Sequence, residues 1–143
     1  MPACARMILA SHGCDRSEAD LRSLLGTDAG GTPPRALFQL STLGFSTRFG
    51  TGSLAQLHHL LASNIPPLVL LSTSALPYWK VGCDHAVVVV GSNDAEVFLN
   101  DPAFSSAPQA VAHADFLQAW APNKHTYATI TPYPASKSAT APA

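Results

Sequence analysis

An imidazole and a carboxylate stand near the two ends of one stretch, CDHAVVVVGSNDAEVFLNDP, residues 83–102. The β-branched run before Ser92 and the apolar run after Asp94 are separated by polar, turn-forming residues, the pattern of a β-hairpin. With Ser92, Asn93 and Asp94 as the loop, Gly91 pairs with Ala95 and His85 faces Asp101. Directly opposed residues on one sheet face have Cβ atoms about 4.5–5.5 Å apart, close enough for a carboxylate to hold an imidazole. A one-residue slip would turn Asp101 to the other face. Asp84, next to His85 in the strand, points away from that pairing.

A carboxylate that fixes the tautomer of an imidazole leaves the second ring nitrogen free to activate a nucleophile. A structural His–Asp hydrogen bond or a solvated hairpin end produces the same residue pattern. The thiols to consider are Cys4, Cys14 and Cys83. They cannot all pair with one another, and free Cys is also a common small apolar core residue. Cys83 and His85 form a Cys-x-His pair, but no second ligand pair has zinc-site spacing, so neither a metal nor another cofactor is expected. Tyr78, Trp79 and Lys80 lie in the segment leading to the His85 strand, where aromatic rings can line a groove or cover the core edge.

These groups need elements to position them. The 143 residues suit one domain able to bury a core without staples. Only 12% of residues are charged and the net charge is -1, which excludes the basic footprint of a nucleic-acid or anionic-membrane binder. The longest apolar runs fall far short of the roughly 20 residues that span a bilayer, so no membrane insertion is expected. The start, MPACARMILA, lacks a signal-peptide core, which favours a cytoplasmic location if Met1 is the true start.

Pro2 opens a helix over 2–9, and Ser17 caps a second over 18–25. Thr32-Pro33-Pro34 starts a third helical segment ending at Gly44, and Ser53 with Gln56 opens a fourth reaching Asn64. Short β-type runs follow at 68–71, 86–90, 97–100 and 127–130, joined by one at 45–49. An amphipathic helix over 113–120 precedes the last strand. The expected architecture is α+β, N-terminal helices packed on a mostly antiparallel sheet. The domain is expected to occupy 1–133 and a disordered tail 134–143.

Three motifs, in order, resemble the C39 peptidase family and its C39-like relatives, which are papain-like cysteine peptidases. PACARMILASHG matches the part of the family's helix pattern that follows its nucleophile, His85 to Gly91 matches His-Ala-Val-Val-Val-x-Gly, and Asn100 to Pro102 matches Asn-Asp-Pro. Phe116 to Trp120 matches the amphipathic Phe-x-x-x-Trp phrase. The resemblance implies a papain-like fold, His85 as base and Asp101 as its orienting acid. It implies a peptide or protein substrate, processing of leader peptides, and an association with an exporter system.

The family pattern sets its nucleophile one position ahead of Met1, while Cys4 matches the second, non-catalytic cysteine, about 6 Å further along the helix. The family's oxyanion Gln also stands ahead of that position, and Gln39 and Gln56 come too late in the chain to replace it. Three readings follow: an upstream start that supplies Gln and Cys, an inactive domain that binds peptides, and Cys4 as a shifted nucleophile.

Overall fold

The computed structural model describes residues 1–134. The chain opens with α1 (Pro2–Ser11) and α2 (Glu18–Leu24). Pro2 sits at the first turn of α1, where its missing N–H costs nothing, and the Ser17 side chain caps α2 by accepting from the Asp20 N–H. The segment Pro34–Leu43 is helical, as its period suggests, but winds as a 3₁₀ helix. Leu37 and Leu40 are buried and Leu43 is half-buried, a spacing of three that matches three residues per turn. Gly44, at φ 87°, ends the helix in the left-handed conformation that costs glycine least.

Then come β1 (Phe45–Thr51), α3 (Leu54–Ala62), β2 (Leu68–Ser72), β3 (Asp84–Ser92), β4 (Glu96–Asn100), β5 (Gln109–Ala112), α4 (His113–Trp120) and β6 (Thr126–Pro132). The six strands form one sheet in the order β1-β6-β2-β3-β4-β5, with every pair antiparallel. Strand β5 was not expected. It is four residues long, and in Gln-Ala-Val-Ala only Val111 is buried.

Helices cover both faces of the sheet rather than one. Cys4, Ile8 and Leu9 of α1 and Leu21 of α2 pack with Leu68, Ala86, Val88 and Ile130 on one face. Leu57 of α3 and Phe116 and Trp120 of α4 pack with Val69, Leu71, Val87, Val89 and Leu99 on the other. Strands β2 and β3 are therefore buried on both faces, which is why they read as unbroken apolar runs instead of alternating ones. The fold is α+β, as expected. The expected tail over 134–143 lies, from residue 135 on, outside the described residues.

The β3–β4 hairpin departs from the expected register. Strand β3 continues through Ser92, and the turn is tightened by Asn93, whose Oδ1 accepts from Ala95 N at 2.9 Å and Glu96 N at 2.7 Å. Val88 pairs with Asn100 and Val89 with Leu99, then the ladder shifts so that Gly91 pairs with Phe98. Val90 is the extra residue of a β-bulge and is turned outward. Continuing the ladder sets Asp101 across from Val87, two residues from His85, so the two are diagonal rather than opposed. A displacement of two preserves the sheet face.

Candidate active site

His85 is the second residue of β3, paired across the sheet with Leu71, and Asp101 follows the last residue of β4. The bonded atoms are His85 Nε2 and Asp101 Oδ1, 2.7 Å apart. The carboxylate is buried and the imidazole remains partly accessible. An ionised carboxylate only accepts hydrogen bonds, so Nε2 carries a proton, and in the neutral ring the lone pair is then on Nδ1. Among the described residues Nδ1 has no hydrogen-bond partner.

Asp101 is held by more than the imidazole. Oδ1 also accepts from Ala103 N at 3.0 Å, while Oδ2 accepts from Tyr78 Oη at 2.9 Å and Trp79 Nε1 at 2.8 Å. Burial pushes the Asp101 carboxyl toward the neutral form, but the hydrogen bonds from His85, Trp79 and Ala103 outweigh it and hold the group below the ordinary carboxylate range. Burial, together with the charge it faces on Asp101, drives the Tyr78 phenol far above its usual range, so it stays a donor.

The segment carrying these two donors is itself pinned. Thr73, fully buried, donates through Oγ1 to Val81 O at 2.6 Å and accepts from Cys83 N at 2.8 Å. The Trp79 ring meets His85 edge-on at 4.9 Å and Phe104 at 5.3 Å, and Tyr78 meets Phe104 at 5.0 Å. Tyr78 and Trp79 are thus the residues whose part in the site the sequence left undecided. The available signal was two adjacent aromatic residues with polar tips, placed after Pro77 and just ahead of the His85 strand.

Cys4 lies on the inner face of α1, fully buried. Its Sγ donates to Ala86 O at 3.2 Å, and burial pushes the thiol up to about 12, so it is protonated at neutral pH. No hydrogen bond joins it to His85 among the described residues. Cys14 is half-buried and Cys83 exposed. Asp84 is exposed, paired with Ser72 in the sheet, and makes no hydrogen bond with His85.

A cleft of about 370 Å³ opens where Met1, just ahead of α1, meets the middle of β2 and the first residues of β3. Met1, Gly31, Leu70, Asp84, His85 and Asn123 line it. Through Met1, the amino end of α1 lies on the same cleft as the imidazole. A thiol reaching this cleft would have a base beside it whose orientation is fixed from behind.

The description Peptidase C39 family attaches to a family model that matches residues 1–128. Among solved structures, the chain resembles the peptidase domain of Streptococcus ComA, a bi-functional ABC transporter of a quorum-sensing pathway. The TM-score is 0.73 and the identity 23%, over 92% of this chain and 89% of that one. It also resembles a protein from Bacillus anthracis described as a C39-like peptidase, with TM-score 0.73 and identity 17%, over 91% and 86% of the two chains. A third likeness is a double glycine motif protease from an AMS/PCAT transporter, solved in complex with the leader peptide, with TM-score 0.70 and identity 15%, over 92% and 82%. At these identities the structures speak for the fold. No curated protein matches the chain significantly.

Proposed function

The chain belongs to the peptidase C39 family, and on that premise we propose that it is a cysteine peptidase domain that hydrolyses a peptide bond in leader-type peptides. The observation that carries this reading is the 2.7 Å bond from His85 Nε2 to Asp101 Oδ1, which in the neutral ring leaves Nδ1 as a proton acceptor in a residue that lines the cleft. His85 is the base and Asp101 the group that orients it. The reading requires a thiol at the end of α1 that lies on the cleft, which a cysteine one position ahead of Met1 would supply. Cys4, buried and held neutral, packs the core and does not attack.

In this scheme His85 Nδ1 takes the thiol proton as sulfur bonds to the carbonyl carbon. The tetrahedral intermediate collapses by breaking the C–N bond, and the Nδ1 proton passes to the leaving amine. Water then attacks the thioester with Nδ1 again accepting a proton, which returns to sulfur as the acid product leaves. A leader peptide bearing a double-glycine motif, delivered beside an exporter, is the substrate class that the structural relatives suggest.

The test uses native protein whose N-terminus has been read by intact mass. A chain that carries a cysteine ahead of Met1 should be alkylated there by iodoacetamide and should cleave a fluorogenic leader peptide. His85→Ala in that same chain should lower turnover by at least ~10³-fold. Equal turnover by the two proteins removes the enzyme reading. Micromolar binding without turnover by either, surviving His85→Ala, establishes the alternative, a domain that binds peptides without cutting them.

A further inference from the structure

Among the described residues one buried side-chain nitrogen or oxygen has no hydrogen-bond partner, Asn123 Nδ2. Asn123 also lines the cleft that holds His85. Buried amide groups are paired in the great majority of cases, so an unpaired one beside a reactive imidazole calls for a reason.

The turn that presents Asn123 is built firmly. It closes a 3₁₀ turn, Ala121–Asn123, at the end of α4. Lys124 and His125 follow at φ 56° and φ 54°, two consecutive non-glycine residues in the left-handed region, an arrangement that persists only where the surroundings enforce it. The enforcement is visible: the His125 ring stacks on Trp120 at 4.7 Å, Trp120 Nε1 donates to Thr126 O at 2.8 Å, and Thr126 Oγ1 donates to Asn123 O at 2.6 Å. The backbone of Asn123 is therefore fixed while its side chain bonds to none of the described residues.

The two glycines that line the cleft, Gly30 and Gly31, have their N–H groups engaged. Gly30 N gives its hydrogen to Asp28 Oδ1 at 2.8 Å, and Gly31 N to Asp28 O at 3.0 Å. An extended peptide lying in the cleft presents carbonyl oxygens that need donors. Asn123 Nδ2, with two N–H groups, can supply one after a rotation about its terminal torsion. The exposed carboxylate of Asp84 on the same cleft disfavours an anionic group there and favours a neutral carbonyl.

We propose that Asn123 is a substrate-binding residue, its side-chain amide donating to a main-chain carbonyl of the peptide in the His85 cleft. The inference rests on the peptide-binding reading of the site and holds whether or not the bound peptide is cut.

The test is equilibrium binding of a fluorescein-labelled leader-type peptide containing a Gly-Gly pair, read by anisotropy, with thermal unfolding of each protein alongside. Asn123→Ala should bind roughly 5- to 100-fold more weakly, the range expected when a bound carbonyl loses its donor. Asn123→Asp, isosteric but turning oxygen toward oxygen, should bind at least as weakly. Asn123→Ala should not lower the melting temperature, because no bond within the protein is lost; a purely structural amide would behave in the opposite way. Wild-type affinity in Asn123→Ala, or a clear fall in its melting temperature, overturns the assignment while leaving the peptide reading intact. No binding by the wild-type protein overturns the peptide reading itself and the assignment with it.

Discussion

Replacing Asp101 by Asn changes one oxygen to NH2 and leaves the shape alone, so its consequences follow from counting donors. Oδ1 accepts from His85 Nε2 and Ala103 N, and Oδ2 from Tyr78 Oη and Trp79 Nε1. If the Asn amide group takes the Oδ2 position, Tyr78 Oη can turn to accept from it, but Trp79 Nε1–H, which can only donate, is orphaned. If it takes the Oδ1 position, only Ala103 N–H is orphaned, because a neutral imidazole can shift its proton to Nδ1 and accept at Nε2. Each arrangement orphans one donor, but Ala103 is exposed whereas Trp79 is half-buried against the His85 and Phe104 rings, so orphaning Ala103 N–H costs less and the second arrangement wins.

The winning arrangement leaves His85 in the wrong tautomer. Nδ1–H cannot take a proton from a thiol, and the expected loss in hydrolysis is about 10⁴-fold, the scale seen when an orienting carboxylate is replaced in this way. Stability should fall by about 2–3 kcal/mol for the orphaned Ala103 N–H and the lost ionic hydrogen bonds, a drop in Tm of roughly 5–15 °C. The direct assay is ¹⁵N–¹H correlation of the His85 ring, which needs no nucleophile. Wild type should show a protonated Nε2 and a bare Nδ1, and Asp101→Asn the exchanged pattern. An unchanged ring pattern in the variant, in a folded protein, would refute the donor count and with it the claim that Asp101 sets the tautomer.

Trp79→Phe keeps the ring contacts with His85 and Phe104 but removes one of the four donors to Asp101, and should cost about 1.5–3 kcal/mol. Because the Asp101 carboxyl is held below its unfolded value of about 3.9, its stabilisation is complete above that pH and is lost as pH falls through the lower folded value. Trp79→Phe lifts the folded value, so acid unfolding followed by circular dichroism should begin at higher pH; coincident acid transitions would count against the clamp. Brief iodoacetamide treatment of the native protein should modify exposed Cys83 and spare Cys4, whose buried thiol is pushed up to about 12. Peptide mapping that finds the two labelled at similar rates would contradict the burial assigned to α1.

The His–Asp relation was legible in the sequence for a reason that survives a wrong register. His85 and Asp101 were expected to face each other across a loop of Ser92, Asn93 and Asp94, and they meet diagonally across a tighter turn preceded by a bulge at Val90. Period-two patterning reports which face a residue occupies, and both registers put the two on the same one. The bulge itself was hidden because Val87 to Val90 is uniformly apolar: with both faces of β3 buried, no alternation marks the residue that steps out. Gly91 is its trace, since a Cβ there would lie 3.3 Å from the Phe98 ring. The four-donor clamp was hidden for a different reason. Tyr78 and Trp79 reach a partner more than twenty residues away, and no local period records a side chain bonding at that range. Asn123 gave no signal either, because an unpaired amide is a property of its surroundings.

The clamp also decides where peptidase and peptide-binding readings part. Three of the four donors to Asp101 come from Tyr78, Trp79 and Ala103, so its charge is compensated and its position fixed independently of any thiol. Loss of a nucleophile would leave all three donors in need of that carboxylate, and with it the imidazole that packs edge-on against Trp79. The pair is therefore retained by the fold whichever reading holds, and its presence weighs on stability before it weighs on chemistry. What distinguishes a peptidase is demand on the other side of the ring, where Nδ1 must stay unprotonated and open to the cleft. The orientation of the imidazole is kept by residues that stability alone would preserve, whereas the tautomer matters only to a reacting thiol. A substitution that moves the ring proton while leaving the fold intact separates the two readings more sharply than removal of the ring.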